Sequence, residues 1–598
     1  MREFATPLPV EIAATGNLTD DVVDHAHQAP DAVLFSRRTA HGWSDVTAAE
    51  FVAEASAVAK GLMAAGVEAG DRVLLIAKTR YEWTLFDYAI WFAGAVTVPV
   101  YETSSAEQIG WILQDSRAKA VVAEGSELLA RLRQARDSGS GSDLNHVWSI
   151  DDNAVGILSR LGDDIADEVL EERRRSFGPS ALATIIYTSG TTGRPKGCQL
   201  THGNFMFELG VATHELDVLF KTDGASTLLF LPLAHVFARI IQVGAIKQRV
   251  RLGHSHDIKT LLSDLEDFRP TFILAVPRVF EKVFNTASQR ATADGRGHIF
   301  DRAAQVAIAH SRAQDKGRIP LRVRAQHSVF DKLVYAKLRT ALGGACTYAV
   351  SGGAPLGERL GHFYRGIGVT VLEGYGLTET TGALTVNLPD TQKIGTVGRP
   401  LPGTTVRVAD DGELLFRGGQ VFGGYWDNEP ATAEAFVDGG WLRTGDVGEV
   451  DDEGFVKVTG RKKEILVTAG GKNVAPAVLE DRLRAHPLID QCMVVGDGQP
   501  FIAALITLDR ESFPAWADSH SKPHSIGKNL EDPDLVAEIQ AAVDEANNAV
   551  SKAEAIRKFT ILPDEWTEES GQLTPSLKLK RNVVMREFRQ DVEDLYLS

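Results

Sequence analysis

YTSGTTGRPKG, residues 187–197, follows directly on the apolar run Ala183–Ile186. Its three glycines and its hydroxyl residues Thr188, Ser189, Thr191 and Thr192 leave many backbone N–H and side-chain O–H donors unencumbered. A strand that empties into such a loop suits a polyphosphate, and Lys196 adds a counter-charge. The spacing is not Gly-x-x-x-x-Gly-Lys-Ser/Thr, which disfavours an ordinary P-loop kinase or ATPase. Taken by itself, the stretch also reads as a Gly/Thr-rich surface turn.

Outward from this loop the pattern is α/β. The apolar runs Arg72–Ala77, Ala120–Ala123, Ala183–Tyr187, Thr227–Leu231 and Thr271–Val276 alternate with amphipathic helical stretches. Short continuous apolar strands between helices predict doubly wound α/β layers built on buried parallel strands. From Val397 to Val458 short strands are separated by Gly, Asp and Asn turns, which predicts an antiparallel β subdomain. Beyond Gly460 the chain shows strand patterns at Gln491–Val495 and Ile502–Thr507 and a helix pattern from Asp534 to Ala553, the makings of a small α+β domain.

The length of 598 residues exceeds one compact domain, and 44% apolar with 24% charged residues is ordinary globular composition. A net charge of −17 disfavours nucleic acid as the main partner, while leaving small anionic ligands to local loops. Cys198, Cys346 and Cys492 are too few and too scattered for a disulfide framework or a Cys-rich zinc site. A reducing cytoplasm fits. The N-terminus has no long apolar core behind a basic start, so no signal peptide is expected. The most membrane-like stretch, Trp83–Val100, carries Asp87 inside it. A buried helix, Tyr81–Gly94, followed by a strand, Ala95–Val100, accounts for it better than a membrane span.

The loop at 187–197 does not stand alone. LPLAHVFAR (231–239), SGGAPL (351–356), GYGLTETTG (374–382), TGD (444–446), GRKKEILVTAGGKNVAP (460–476) and LTPSLKLKR (573–581) follow in order. Together they resemble the adenylate-forming superfamily of acyl-CoA synthetases, nonribosomal adenylation domains and luciferases. Stretches such as VPVYETSS (98–105), AVPRVFEKVFN (275–285) and GDGQPFIAALI (496–506) resemble long-chain fatty-acid–CoA ligases, most of all actinobacterial ones. It implies an N-terminal adenylate-forming domain over 1–460, with the β subdomain at about 397–458. A hinge at 461–463 and a mobile C-terminal lid over 464–598 complete the expected organisation.

The resemblance also assigns roles. ATP would be held by Thr188, Ser189, Gly190, Thr191, Thr192, Gly193 and Lys196 of the first loop. Gly352, Gly353 and Ala354 would form one wall of the adenine site, with Gly374, Tyr375, Gly376 and Thr378 opposite and Tyr375 stacking on the base. Asp446 would accept the ribose hydroxyls, with Arg461 assisting on the ribose or phosphate side. Glu379 and Thr188 would offer hard oxygens to Mg²⁺, which requires such ligands. His235 would gate the acyl pocket, although a lone His in an apolar run is more often a satisfied core residue. Lys578 would bridge the fatty carboxylate and the α-phosphate. That carboxylate is already ionised at neutral pH, so the step needs charge stabilisation rather than a base. Leu577 stands where the family usually has Gly, and Lys580 lies two positions on.

Coenzyme A, the expected co-substrate, would reach the acyl group past Gly470, Gly471 and Lys472 after a swing about Lys463. The expected activity is therefore ATP-dependent ligation of a long-chain fatty acid to CoA with release of AMP and diphosphate. A fatty acyl-AMP ligase serving a carrier protein, and a non-catalytic nucleotide- or lipid-binding relative, remain as alternatives. One segment lies outside these motifs. Residues 290–339 hold eleven Lys/Arg against four Asp/Glu. They read either as helices packed on the large domain or as a basic amphipathic surface for peripheral contact with anionic membrane.

Overall fold

The computed structural model describes residues 2–39, 42–188, 194–257, 260–574 and 577–597. The strand Leu182–Thr188 is the fifth of a six-stranded sheet ordered His146–Ser149, Ala120–Ala123, Arg72–Ile76, Val96–Val100, Leu182–Thr188, Lys196–Thr201. The first four pairings are parallel. The last is antiparallel and sets Thr188 opposite Lys196. Residues 189–193, which join those two strands, lie outside the described residues.

A second, nine-stranded sheet has six parallel strands in its middle: Thr370–Leu377, Tyr348–Ser351, Phe272–Ala275, Ser226–Leu229, Arg251–His254 and Val33–Thr39. Antiparallel strands close both edges, with Gly42–Thr47 on one side and Gly382–Val386 and Arg399–Pro400 on the other. Strands sandwiched between helices must be apolar on both faces, and Val73, Leu74, Leu75 and Ile76 are all fully buried. The doubly wound reading of the sequence holds.

The helix Tyr81–Phe92 is buried at every position except Glu82. Asp87 at its centre is paired with Arg239, and neither side chain is exposed. Arg239 also donates to the Thr184 hydroxyl at 2.5 Å. The arginine that ends the LPLAHVFAR block therefore ties a helix to the first sheet and does not face the ligand cavity. Among the described residues no helix is long and apolar enough to cross a membrane.

The third sheet is antiparallel and contains Thr405–Val408, Glu413–Arg417, Phe436–Val437, Trp441–Val450 and Val456–Arg461. Two details depart from the sequence reading. Arg399–Pro400, inside the range expected for this subdomain, pairs instead with Gly382–Val386 of the nine-stranded sheet. Glu3–Ala5 adds an edge strand, with Glu3 opposite Arg407. Three residues are too few to show a strand periodicity.

The C-terminal part carries a three-stranded sheet, Ile489–Val495, Ile502–Leu508 and Ile556–Leu562, over its own apolar core. Its long helix runs Pro533–Asn547, stopping short of Ala553. The reason is local: the Asn547 amide clamps Ile556, donating to its carbonyl at 2.9 Å and accepting its N–H at 2.8 Å. This part docks on the helix Pro277–Ala293, where Arg278 reaches Asp490 at 2.5 Å and Gln289 reaches Ser512.

Candidate active site

A cavity of about 3000 Å³ runs between the two large sheets, the antiparallel sheet and the C-terminal part. The strand ends that open onto it place most of the residues singled out from sequence. Thr188 ends its strand and Lys196 begins the next, so both face the cavity from the two sides of the loop. Ser189, Gly190, Thr191, Thr192 and Gly193 lie outside the described residues. Gly352, Gly353 and Ala354 follow the strand Tyr348–Ser351 and form part of the wall. Gly374, Tyr375 and Gly376 end the next strand, and Thr378 and Glu379 lie in the short helical turn after it. Gly376 has no alternative, because a Cβ there would lie 1.7 Å from the Gly382 carbonyl oxygen.

Thr188 and Glu379 converge on Cys198. The Cys198 sulfur is 3.9 Å from the Thr188 hydroxyl, and its thiol is pushed well above the usual range by burial and then by the Glu379 charge. A hydroxyl and a carboxylate on one cavity wall suit Mg²⁺, whose remaining ligands are ordinarily phosphate oxygens and water. Glu379 is oriented by Tyr425, whose hydroxyl donates to its Oε1 at 2.8 Å. The Tyr425 ring also lies 5.2 Å from the Lys196 ammonium. Tyr425 thus connects the loop to the carboxylate, a role the sequence reading did not assign. The aromatic after the glycine pair in GGYW was the available signal.

Asp446 is buried, and both its oxygens are engaged. Tyr375 donates to Oδ2 at 2.5 Å, and Arg461, its cross-strand neighbour, lies 3.1 Å from Oδ1. A carboxylate offers about four lone-pair sites, so two remain for further donors. Burial raises the Asp446 pKa, opposed by the charges of Arg461 and Lys578 and by the Tyr375 hydrogen bond.

Lys578 reaches the same cavity from the C-terminal part. It is accessible to water yet surrounded by protein deep in the cleft. Burial and then the charge of Arg461 depress its pKa, while Asp446 and Glu379 oppose the shift. The turn that presents it is held by Thr574, whose N–H donates to the Lys578 carbonyl at 2.8 Å and whose hydroxyl accepts the Lys578 N–H at 3.0 Å. Leu577 adopts a left-handed φ of 58°. That conformation is free for Gly and costs roughly 1–2 kcal/mol for other residues, which is a physical reason for glycine at this turn. Lys580 caps the next helix and also borders the cavity.

His235 caps the helix Val236–Lys247, and its Nδ1 accepts the Phe237 N–H at 3.1 Å. Burial and the Lys578 charge lower its pKa to about 3. The ring is therefore neutral at physiological pH, with its proton on Nε2. Gly470, Gly471 and Lys472 are not brought to the cavity. They form an exposed loop between Leu466–Val467 and Asn473–Val474, with Lys472 3.3 Å from Glu554. Lys463 lies exposed in the turn Lys462–Glu464 at the cavity rim.

An apolar arm leaves the polar end of the cavity. Leu209 and Ala212 on the helix His202–Glu215, and Leu216 just past its end, line it with Phe220, Ile240 and Ile241. Polar groups at one end and an aliphatic arm at the other suit an amphiphilic ligand.

The AMP-binding enzyme family matches residues 22–426, and the AMP-binding enzyme C-terminal domain matches residues 463–598. The chain belongs to the AMP-binding enzyme family. This AMP-binding enzyme is 53% identical, over the whole of both chains, to the long-chain-fatty-acid–CoA ligases FadD15 of Mycobacterium bovis and Mycobacterium tuberculosis. It is 29% identical to the long-chain-fatty-acid–CoA ligase ACSBG2 of Xenopus laevis, over 95% of this chain and 82% of the relative. Among solved structures, the adenylation domain of a Mycobacterium chelonae carboxylate reductase aligns with a TM-score of 0.74 at 23% identity, covering 97% of this chain and 91% of that one. The o-succinylbenzoate CoA synthetase of Bacillus subtilis aligns at 0.67 and 22% identity, covering 94% and 98%. Those two likenesses speak for the fold.

Proposed function

We propose that this AMP-binding enzyme is a long-chain fatty-acid–CoA ligase that works through an acyl-adenylate. The observation that carries the reading is the joining, in one cavity, of the Lys578–Asp446–Glu379 cluster to the apolar arm along Leu209, Ala212 and Leu216. Full-length identity of 53% to proteins named for this activity supports it.

In the first step a carboxylate oxygen of the fatty acid bonds to the α-phosphorus of ATP and diphosphate leaves. Both reactants are anionic, so the chain's task is to hold them together and stabilise the charge that builds up. The Lys578 ammonium bridges carboxylate and α-phosphate, and Thr574 fixes its turn. Asp446, held by Tyr375 and Arg461, takes the ribose. Mg²⁺, when bound, would lie between Thr188 and Glu379 and neutralise phosphate charge. Neutral His235 gates the passage from the polar end to the apolar arm without adding a like charge to Lys578.

In the second step the CoA thiol attacks the acyl carbonyl, the thioester forms and AMP leaves. None of Cys198, Cys346 or Cys492 is required, since all three are buried and CoA brings the sulfur. The arrangement seen here has Lys578 at the cavity and the Gly470–Lys472 loop away from it, which suits the first step. The second requires the C-terminal part to turn about Lys463 until that loop faces the cavity.

The test is AMP release with and without CoA, over acids from acetate to long chains. Long acids should give CoA-dependent release, and Ala212→Phe, which fills the arm, should remove them while sparing short ones. Release that ignores CoA but responds to a carrier protein would refute the ligase assignment. An unchanged acid profile in Ala212→Phe would show that the arm is not the acyl site.

A further inference from the structure

The basic segment splits in two. The helix Gly297–Asp315 buries Phe300, Ala303, Val306 and Ala307 and belongs to the large domain. The helix Leu321–Phe330 buries no residue at all and continues through a π turn, Asp331–Tyr335, into Ala336–Ala341. Its inward side is defined: His327 stacks on His310 at 3.9 Å and bonds the Gly366 carbonyl, while Phe330 and Val334 pack on the core. Its outward side presents Leu321, 82% exposed, Val329, 56%, and Leu333, 57%. Arg322 and Lys332 are exposed among them.

The charge here is one-sided. Residues 316–339 hold seven Lys/Arg and one acid, Asp331. Asp331 is taken by Arg339 at 2.7 Å. Among the described residues no ion pair is formed by Arg318, Arg322, Arg324, Lys332 or Lys337. Exposed apolar side chains beside unpaired cations suit the surface of an anionic bilayer, where the cations are attracted by the headgroup charge and the apolar side chains leave water. A nucleic acid would satisfy the cations but leave Leu321, Val329 and Leu333 in water, and a protein partner has no such general reason to be anionic.

We infer that the outward face of residues 316–337 docks on anionic lipid and holds the enzyme peripherally at a membrane surface. This deepens the ligase reading by naming where the acid is collected. The helix Gly297–Asp315, against which the docking helix packs, contributes Gln305, Ile308, Ala309 and Arg312 to the cavity lining. The lipid surface would thus lie one helix away from the cavity.

The experiment is co-sedimentation of the full-length enzyme, without substrates, on phosphatidylglycerol and on phosphatidylcholine vesicles at low and high salt. Wild type should bind the anionic vesicles, bind the neutral ones far less, and be released by salt as the Debye length shrinks. Each cation near the surface strengthens binding about fivefold. Arg318→Glu/Arg322→Glu/Arg324→Glu should therefore weaken it by at least about 100-fold. Leu321→Ser/Val329→Ser/Leu333→Ser should also weaken it, with the cations intact. Both variants replace exposed side chains and should keep wild-type turnover on a short, water-soluble acid. The inference is overturned if wild type ignores anionic vesicles, or if either variant binds them as well as wild type does. It is equally overturned if the variants change self-association in the absence of lipid, which would make the face a protein interface. Because no substrate is present, failure here leaves the ligase assignment standing, and failure of the ligase assay leaves this result intact.

Discussion

Removing Arg278 should uncouple the two half-reactions. It lies at the start of the helix Pro277–Ala293 and reaches Asp490 at 2.5 Å and Asp509 at 3.5 Å in the C-terminal part. The Arg278 and Asp490 side chains are 26% and 19% exposed, so the pair sits between surface pairs worth about 0–1 kcal/mol and buried ones costing about 3–5 kcal/mol to break. About 2 kcal/mol is the fitting figure, equivalent to roughly thirtyfold in the balance between arrangements. In Arg278→Ala, Asp490 and Asp509 face each other uncompensated, and the arrangement that holds Lys578 at the cavity is the one that suffers. ATP–diphosphate exchange should fall by up to about thirtyfold, while thioester formation from supplied acyl-adenylate stays normal or rises. Lys282→Ala provides the control: its pair with Glu511 is 51% and 73% exposed and should contribute under about 1 kcal/mol. Adding Asp490→Asn to Arg278→Ala should restore part of the exchange by removing the stranded charge. Equal losses in both half-reactions, or a Lys282→Ala defect as large as that of Arg278→Ala, would refute this role for Arg278.

Lys578→Ala should abolish acyl-adenylate formation and leave thioester formation from supplied acyl-adenylate largely intact; near-normal exchange would shift the role to Lys580. Gly470→Leu should do the reverse, and it is the cleaner of the two loop variants. A Cβ at Gly470 meets only the Thr468 hydroxyl at 3.9 Å, whereas Gly471 has a φ of 75° that strains any side chain. Parallel loss of both half-reactions would make the loop structural. Glu208 is buried, accepts the Ala383 N–H at 2.9 Å and has its pKa pushed by burial up to about 8 from 4.5. The folded protein therefore keeps this proton until about pH 8, while the unfolded chain releases it near 4.5, so stability falls as pH rises through that window. Glu208→Gln keeps the acceptor and removes the titration, and should flatten the profile and raise stability above that window by on the order of 5 kcal/mol. Parallel pH profiles of Tm for variant and wild type would contradict it.

The layers were readable because parallel strands covered on both faces need unbroken apolar runs, and runs such as Val73–Ile76 are visible without partners. The gathering of Thr188, Glu379, Asp446 and Lys578 around one cavity was legible only through resemblance. Nothing local in a Thr-Gly-Asp sequence says that Asp446 will be buried between Tyr375 and Arg461. Contacts remote in sequence left no trace: Arg278 and Asp490 are separated by 212 positions, and Glu3 and Arg407 by 404. Thr574 and Tyr425 were missed for a related reason. Each works by positioning another residue, Tyr425 through the Glu379 carboxylate and Thr574 through the Lys578 backbone, and a positioning residue carries no chemistry of its own for a pattern to flag. Leu577 was noticed as an odd residue, but only its left-handed φ shows what the position asks of the chain.

Several cations meet at the polar end of the cleft. Lys578 is depressed by burial and by Arg461, His235 is held neutral by burial and by Lys578, and Lys196 stands on the far wall above Tyr425. Arg461 opposes the Lys578 charge, whereas Asp446, Glu379 and Glu464 favour it. Asp446 is already engaged by Tyr375 and Arg461, and Glu379 by Tyr425. An anion reaching Lys196, Arg461 and Lys578 would relieve the repulsion between those cations, and a polyphosphate has charge to offer at all three places. The apolar arm supplies none of this stabilisation. In the proposed reading, binding the nucleotide and selecting the acid are separable physical problems posed in one cavity. His235, neutral and hydrogen-bonded at its helix cap, stands at their boundary, where a cation would have weakened the lysine it faces.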